Sequence, residues 1–227
     1  MQYKKVTHVL FDLDGLLLDS EVLYTEIFTT ACDKYGKKFT WELKETLLGF
    51  QGHECADKII KVLELPVTRD EFMKECSQLS EVVFSNVQLM PGARKLVEHL
   101  HKKGVPIALA TSSSSDSVDK KMKNHQDILK LFNHLTMGST DPEVTKGKPD
   151  PEIFLVCASR FPDKPIPEDC LVFEDAVNGI KAANAAHMQV VAVPDPRIDS
   201  QYLQTATLVL KSLEEFKPEL FGLPAYD

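Results

Sequence analysis

The 227-residue sequence lacks any apolar run long enough to span a bilayer. It also lacks an excess of basic charge. The formal net charge is −8, which argues against nucleic acid or an anionic membrane as a partner, since either polyanion would repel the chain. There is no CxxC pair. The five cysteines, Cys32, Cys55, Cys76, Cys157 and Cys170, are scattered and odd in number, so reduced, buried thiols are expected instead of a disulfide framework. None of the seven histidines stands at metal-ligand spacing from another histidine or a cysteine. His99 and His101, two apart on a predicted helix, fall on different faces. No internal repeat or low-complexity segment is present. The opening MQYKKVTHVLFD has two lysines but no apolar signal-peptide region with a small-residue cleavage site. A cytoplasmic, monomeric chain is expected.

What is present is a chain, 43% hydrophobic, large enough for one good core and a smaller module. Val6 to Asp12 reads as a strand buried on both faces. Further strands are predicted at Val105–Ala110, Leu135–Met137, Cys170–Glu174, Gln189–Val193 and Thr207–Leu210. Helices are predicted between them: Gly92–Lys103 with Pro91 at its start and Gly104 as its cap, one from about Asp116, Gln126–Phe132, Asp150–Phe161, and Val177–Ala186. His187 follows the last of these and suits a left-handed cap. Alternation of this kind predicts an α/β fold, a doubly wound parallel sheet with helices on both faces and right-handed crossovers. Between Ser20 and Phe84 the apolar residues recur at helical spacing, and Thr68 with Glu71 forms a capping-box pattern for a helix starting near Arg69. Residues 17–87 are therefore expected to form a helical insert of about four helices, with 1–16 and 88–227 as the core. Leu16–Leu18 and Ser85–Leu89 would connect the two. Asp19 is expected to cap the first helix of the insert.

Ligands of open α/β sheets sit outside the carboxyl ends of the strands. The chemistry-bearing residues fall there. Asp12 and Asp14 leave the first strand one residue apart, so both can project to one side. Gly15 follows, where a sharp turn needs positive φ. Thr111 ends the second strand, and the amides after it open a helix. Glu174 and Asp175 end a later strand, and Lys148 lies in the loop leading toward it. Paired carboxylates at a strand end suit a hard divalent cation and a nucleophile together.

The stretch Asp12-x-Asp14-Gly15-xxx-Asp19-Ser20 resembles the opening motif of the haloacid dehalogenase superfamily. Thr111, Lys148 in Gly147-Lys148-Pro149, and Glu174-Asp175 match its later motifs in order, so the resemblance covers nearly the whole chain. It implies a Rossmann-like core with an inserted α-helical cap. It also implies a magnesium-dependent phosphomonoesterase acting on a small phosphorylated metabolite. Asp12 would be the nucleophile that forms an aspartyl-phosphate, and Asp14 the general acid and base. Thr111, Ser112 and Lys148 would bind the phosphoryl group, and Lys148 would hold Asp12 ionised. Asp12, Asp175 and the Asp14 backbone carbonyl would hold Mg2+, with Glu174 either a ligand or an outer partner. The Leu89–Ala93 stretch and the Phe221–Pro224 tail resemble the subgroup acting on pseudouridine 5′-phosphate. Relatives with this cap also hydrolyse glycerol 3-phosphate and sugar phosphates, and a phosphoglucomutase-like isomerase would use the same Asp12 intermediate. A non-catalytic binding module would be expected to have lost one of Asp12, Asp14, Lys148 or Asp175, and all are present.

Overall fold

The computed structural model describes residues 3–227. Its strands are β1 (His8–Phe11), β2 (Ile107–Thr111), β3 (His134–Met137), β4 (Cys170–Glu174), β5 (Gln189–Ala192) and β6 (Leu208–Val209). They form one sheet in the order β3-β2-β1-β4-β5-β6, with every neighbouring pair parallel. The chain steps outward from β1 on one side and resumes beside β1 on the other. The order therefore reverses between β1 and β4, where such sheets open a crevice at their carboxyl edge.

The apolar runs of the central strands split cleanly by side-chain alternation. Val9 and Phe11, Ile107 and Leu109, Leu171 and Phe173 enter one core layer, where Phe11 stacks on Phe173 at 4.9 Å. Leu10, Ala108, Ala110 and Val172 enter the other. Burying each larger side chain stabilises the fold by roughly 1.5–3 kcal/mol. The second layer is lined by alanines from the sheet and from α9 (Val177–Ala185), which leaves room for that helix and α8 (Glu152–Ser159) to approach closely.

Several element boundaries differ from expectation: β1 and α8 are shorter at both ends, α7 (Gln126–Leu129) stops before Phe132, and others move for local reasons. The second strand begins at Ile107, not Val105, because the Val105 amide closes the preceding helix on Leu100 O and Pro106 has no amide to give the sheet. That helix, α5 (Ala93–Lys102), starts after Gly92 at φ +85°, so Pro91 lies in the turn before it instead of at its first position. Asp19 is exposed and caps nothing. Ser20 occupies the N-cap of α1 (Glu21–Asp33), and its hydroxyl is bonded elsewhere, to Asp14. His187 does adopt the left-handed conformation, at φ 61°.

Between β1 and α5 the chain forms α1, α2 (Trp41–Glu45), α3 (Gly52–Leu63) and α4 (Arg69–Val83), the last with the Thr68–Glu71 capping box in place. These helices bury their own cluster, including Ala31, Leu43, Ile59 and Phe72. The two connections run side by side: Leu18 and Leu89 form an antiparallel bridge, Asp19 N donates to Gln88 O, and Met90 N donates to Leu17 O. Leu16, Leu17 and Leu18 are each at most 1% exposed, so this connection is packed into the core. Because Phe72 lies in the helical cluster and not in the sheet layers, Phe72→Ala should cost about 3–5 kcal/mol within that cluster. Amide exchange should quicken in α1, α3 and α4 while β1, β2 and β4 stay protected; equal loss of protection in the sheet would contradict a separate helical core.

Candidate active site

The ends of β1, β2 and β4 bring Asp12, Thr111, Glu174 and Asp175 to one crevice, and the loop before α8 delivers Lys148 into it. The Lys148 side chain is 1% exposed. Its ammonium donates to Asp12 Oδ1 at 2.5 Å, Glu174 Oε1 at 2.6 Å and Ala110 O at 3.3 Å. Burial alone would lower its pKa, but the charges of Asp12 and Glu174 outweigh burial and hold it protonated. Glu174 is further fixed by the amides of Asp175 and Ala176, which donate to its Oε2 at 3.0 and 3.1 Å.

Negative charge is nonetheless in excess here. One carboxylate oxygen from each of Asp12, Glu174 and Asp175 lies within 4.8 Å of the others. Burial pushes the Asp12 carboxyl up to about 7; Lys148 opposes the rise, and Glu174 and Asp14 add to it. Burial also lifts Asp175 well above the ordinary carboxylate range, reinforced by Glu174 and Asp12. A group of oxygen donors with more charge than its one ammonium can offset fits a hard divalent cation. Two glycines make the cluster possible. A Cβ on Gly15, at φ +80°, would overlap Asp175 Oδ2, and a Cβ on Gly179 would overlap the Glu174 carboxylate.

Asp14 lies in the same cavity but faces a different cation. Lys121 of α6 (Ser115–Lys121) donates to both of its oxygens at 2.6 Å. Ser20 donates to Oδ1 at 2.6 Å and Ser113 to Oδ2 at 2.8 Å. Burial would raise the Asp14 pKa, but Lys121 and the two hydroxyls bring it below the ordinary value. The Asp14 side chain is thus outside the acidic trio, and only its backbone carbonyl is left as the predicted ligand. Lys121 was not singled out from the sequence. The available signal was its place in a buried helical stripe with Val118 and Met122, where a lysine side chain needs an anionic partner.

Thr111 is 1% exposed, and its Oγ1 accepts from Ser113 N at 3.1 Å. Ser114 caps the helix that follows, accepting from Ser117 N. Ser112 turns away to donate to Gly49 O at 3.2 Å. That bond is one of three that seat the 48–51 loop on the core. Asn178 Nδ2 donates to Leu48 O at 3.0 Å, and Gln51 Nε2 donates to Gly138 O at 3.3 Å. Beneath the helical block a cavity of about 260 Å³ runs from Asp12, Thr111 and Asp175 to Phe28, Phe50 and Phe84. Two charged residues from the block face it. Lys44 donates to Glu21 O at 2.7 Å and Thr25 Oγ1 at 2.6 Å, with Glu21 Oε2 3.3 Å away. Glu21 is kept above its usual pKa by burial, which Lys44 only partly offsets. Neither of these two was identified from the sequence.

Comparison with known proteins agrees with this geometry. The profile of the haloacid dehalogenase-like hydrolases matches residues 9–193. A Drosophila melanogaster protein named "probable pseudouridine-5′-phosphatase" is 50% identical over 223 residues, covering 98% of this chain and 96% of that one. (DL)-glycerol-3-phosphatase 2 of Arabidopsis thaliana is 40% identical over 225 residues, covering 98% and 93%. The crystal structure of β-phosphoglucomutase from Clostridium difficile superposes with a TM-score of 0.76 over 94% of each chain, at 24% identity, and shares the fold. The matched motifs, the parallel sheet and the residues gathered at its carboxyl edge all lead to one assignment: the chain belongs to the haloacid dehalogenase-like hydrolases.

Proposed function

We propose that the protein is a magnesium-dependent phosphatase of a small metabolite, pseudouridine 5′-phosphate being the favoured substrate. The observation that carries the reaction is the buried Asp12–Lys148 contact, with Asp14 two residues on in a separate hydrogen-bonded cradle. Lys148 holds the Asp12 carboxylate in place. Asp12 attacks phosphorus and becomes the aspartyl-phosphate, while the bond to the leaving oxygen breaks and that oxygen takes a proton from Asp14, which gains one from water when the dianionic ester beside it offsets Lys121 and raises its pKa. Asp14 then accepts a proton from the water that attacks phosphorus, and inorganic phosphate leaves as Asp12 is restored. Thr111 and the Ser112 amide face the phosphoryl oxygens. Asp12, Asp175 and the Asp14 backbone carbonyl would hold magnesium, which supplies positive charge against the dianionic ester. Glu174, already engaged by Lys148 and two amides, acts as an outer partner.

The helical block, 17–87 in our boundaries, acts as a cap that closes over the substrate and excludes water. The substrate preference rests on the 50% identical relative and on the cavity wall. Phe28, Phe39, Phe50 and Phe84 offer apolar surface that a nucleobase would cover and glycerol would not. Glycerol 3-phosphate is the second reading, on the strength of the 40% identical relative. No helix among the described residues is long and apolar enough to cross a membrane. The five free thiols fit a reducing compartment, and we assign the protein to the cytoplasm as a monomer.

Phosphate release from pseudouridine 5′-phosphate should exceed that from glycerol 3-phosphate at least about tenfold in kcat/KM, a difference that one well-filled apolar subsite can supply. The opposite ranking would favour the second reading.

The two aspartates should separate by chemistry. Asp12→Asn should form no phosphoenzyme with any ester. Asp14→Asn should lose about a hundred- to ten-thousand-fold on an alkyl phosphate, yet still trap labelled phosphate from an aryl phosphate. Label trapped on Asp12→Asn would discard the assignment.

Metal binding should appear in stability as well as in rate. The Asp12 pKa is raised from 3.8 to about 7 in the fold. The cation-free fold therefore gains stability from the retained proton at low pH and loses it as pH rises from about 4 to about 7; Asp175 shifts the same way. A cation takes the ionised carboxylates, so its effect grows over the same interval. Magnesium should raise Tm at pH 8 and hardly at pH 5. An equal rise at both would show that the cation binds elsewhere.

A further inference from the structure

Lys121 is the most completely enclosed cation near the reaction centre that the proposed mechanism leaves without a role. Its side chain is 0% exposed. The ammonium meets both Asp14 oxygens at 2.6 Å, Ser113 Oγ at 2.7 Å and the Tyr24 hydroxyl at 3.2 Å. Two aromatic rings enclose it, Tyr24 with its centroid 5.4 Å away and Phe84 at 5.8 Å. These partners come from two parts of the molecule. Lys121 and Ser113 belong to the sheet core. Tyr24 lies on the first helix of the cap, and Phe84 follows its last helix. Ser20, which supplies the remaining hydroxyl to Asp14, sits where the chain enters the cap.

The carboxylate of Asp14 has two torsions to fix and only a short side chain to fix them with. A single donor would leave it free to swing about that bond. Here a bidentate ammonium and two hydroxyls, one on each oxygen, define both its direction and its plane. Lys121 has three donor hydrogens and four acceptor atoms around it, of which the Tyr24 hydroxyl is the most distant, so the tyrosine shares a hydrogen with the core acceptors. Tyr24 and Phe84, both from the cap, thus form the ring walls that close over the Lys121 ammonium.

We propose that Lys121 is a positioning residue for proton transfer, aiming the Asp14 carboxyl at the leaving-group oxygen, with Tyr24 of the cap as a further acceptor that steadies the ammonium. The inference rests on Asp14 being the acid and base of the proposed reaction. Lys121 touches neither substrate nor reacting atoms; it acts through Asp14. Its effect should therefore depend on how much the leaving group needs a proton. An alkoxide needs one, whereas a nitrophenolate departs without help.

The test compares kcat/KM for an alkyl phosphate, glycerol 3-phosphate or pseudouridine 5′-phosphate, with that for p-nitrophenyl phosphate in the intact chain. Lys121→Met keeps the length of the side chain and removes its donors. It should lower the alkyl-to-aryl ratio by about tenfold or more, a fraction of the full acid–base contribution. Tyr24→Phe keeps the ring and removes only the cap-side hydroxyl, and should lower the same ratio by about threefold. If Lys121→Met does not fold, Tyr24→Phe and Ser113→Ala decide the question by the same ratio. Variants that lose rate on both esters in equal proportion would overturn the inference, since a purely structural lysine would act that way. If the unaltered protein shows no Asp12-dependent hydrolysis of either ester, the phosphatase assignment itself fails. If it hydrolyses both and the ratio does not move, the assignment stands and only the role of Lys121 is lost.

Discussion

Placing Asp12, Glu174 and Asp175 at adjoining strand ends removes more negative charge from water than Lys148 neutralises. Several features of the fold answer to that imbalance. β1 and β4 must be neighbours, so the strand order reverses between them. The Lys148 loop must pass under the sheet edge so that one ammonium can reach β1, β2 and β4 residues together. Gly15 and Gly179 must lack side chains, because the carboxylates fill that space. The remaining negative charge suits a hard cation. In this sense the cluster costs stability when bare, and that cost is what makes it receptive.

Asp14 shows the opposite economy. Its four hydrogen bonds leave little unsatisfied, although it is only two residues from Asp12. Two carboxylates on one strand end are thereby set in different environments, one short of positive charge and one well supplied. The division follows from the partners that reach them, Lys148 for Asp12 and Lys121 for Asp14.

Much of this was legible in the sequence. The buried strands announced themselves as apolar runs, and the site residues at their carboxyl ends stood in short motifs whose order matched a known family. What was not legible depends on long separations. Lys121 is 107 residues from the aspartate it contacts, and a lysine in Asp119-Lys120-Lys121 looks like part of a solvated face. Glu21 and Lys44 meet across the helical block for reasons that only packing reveals. Asp19 was read as a cap because acids favour that place, but Ser20 is one residue nearer the helix. The edges of strands moved where one amide had a prior commitment, as at Val105.

The loop over the site is held in a particular way. Leu48 and Gly49 contribute backbone carbonyls, received by Asn178 and Ser112 of the core, and only Gln51 uses a side chain. The attachment holds position 49 to glycine, at φ +81° and close to Ala176 and Asn178, and buries Leu48 among core residues, but it asks nothing of the side chain at position 50. Phe50, whose ring lines the cavity, is free of any duty in docking. A lineage could exchange that side chain, and with it the shape offered to the substrate, while the loop kept its seat and the acidic cluster beneath went undisturbed. On the function proposed above, chemistry and selectivity would thus be written in separate parts of the polypeptide, and one could drift while the other is held.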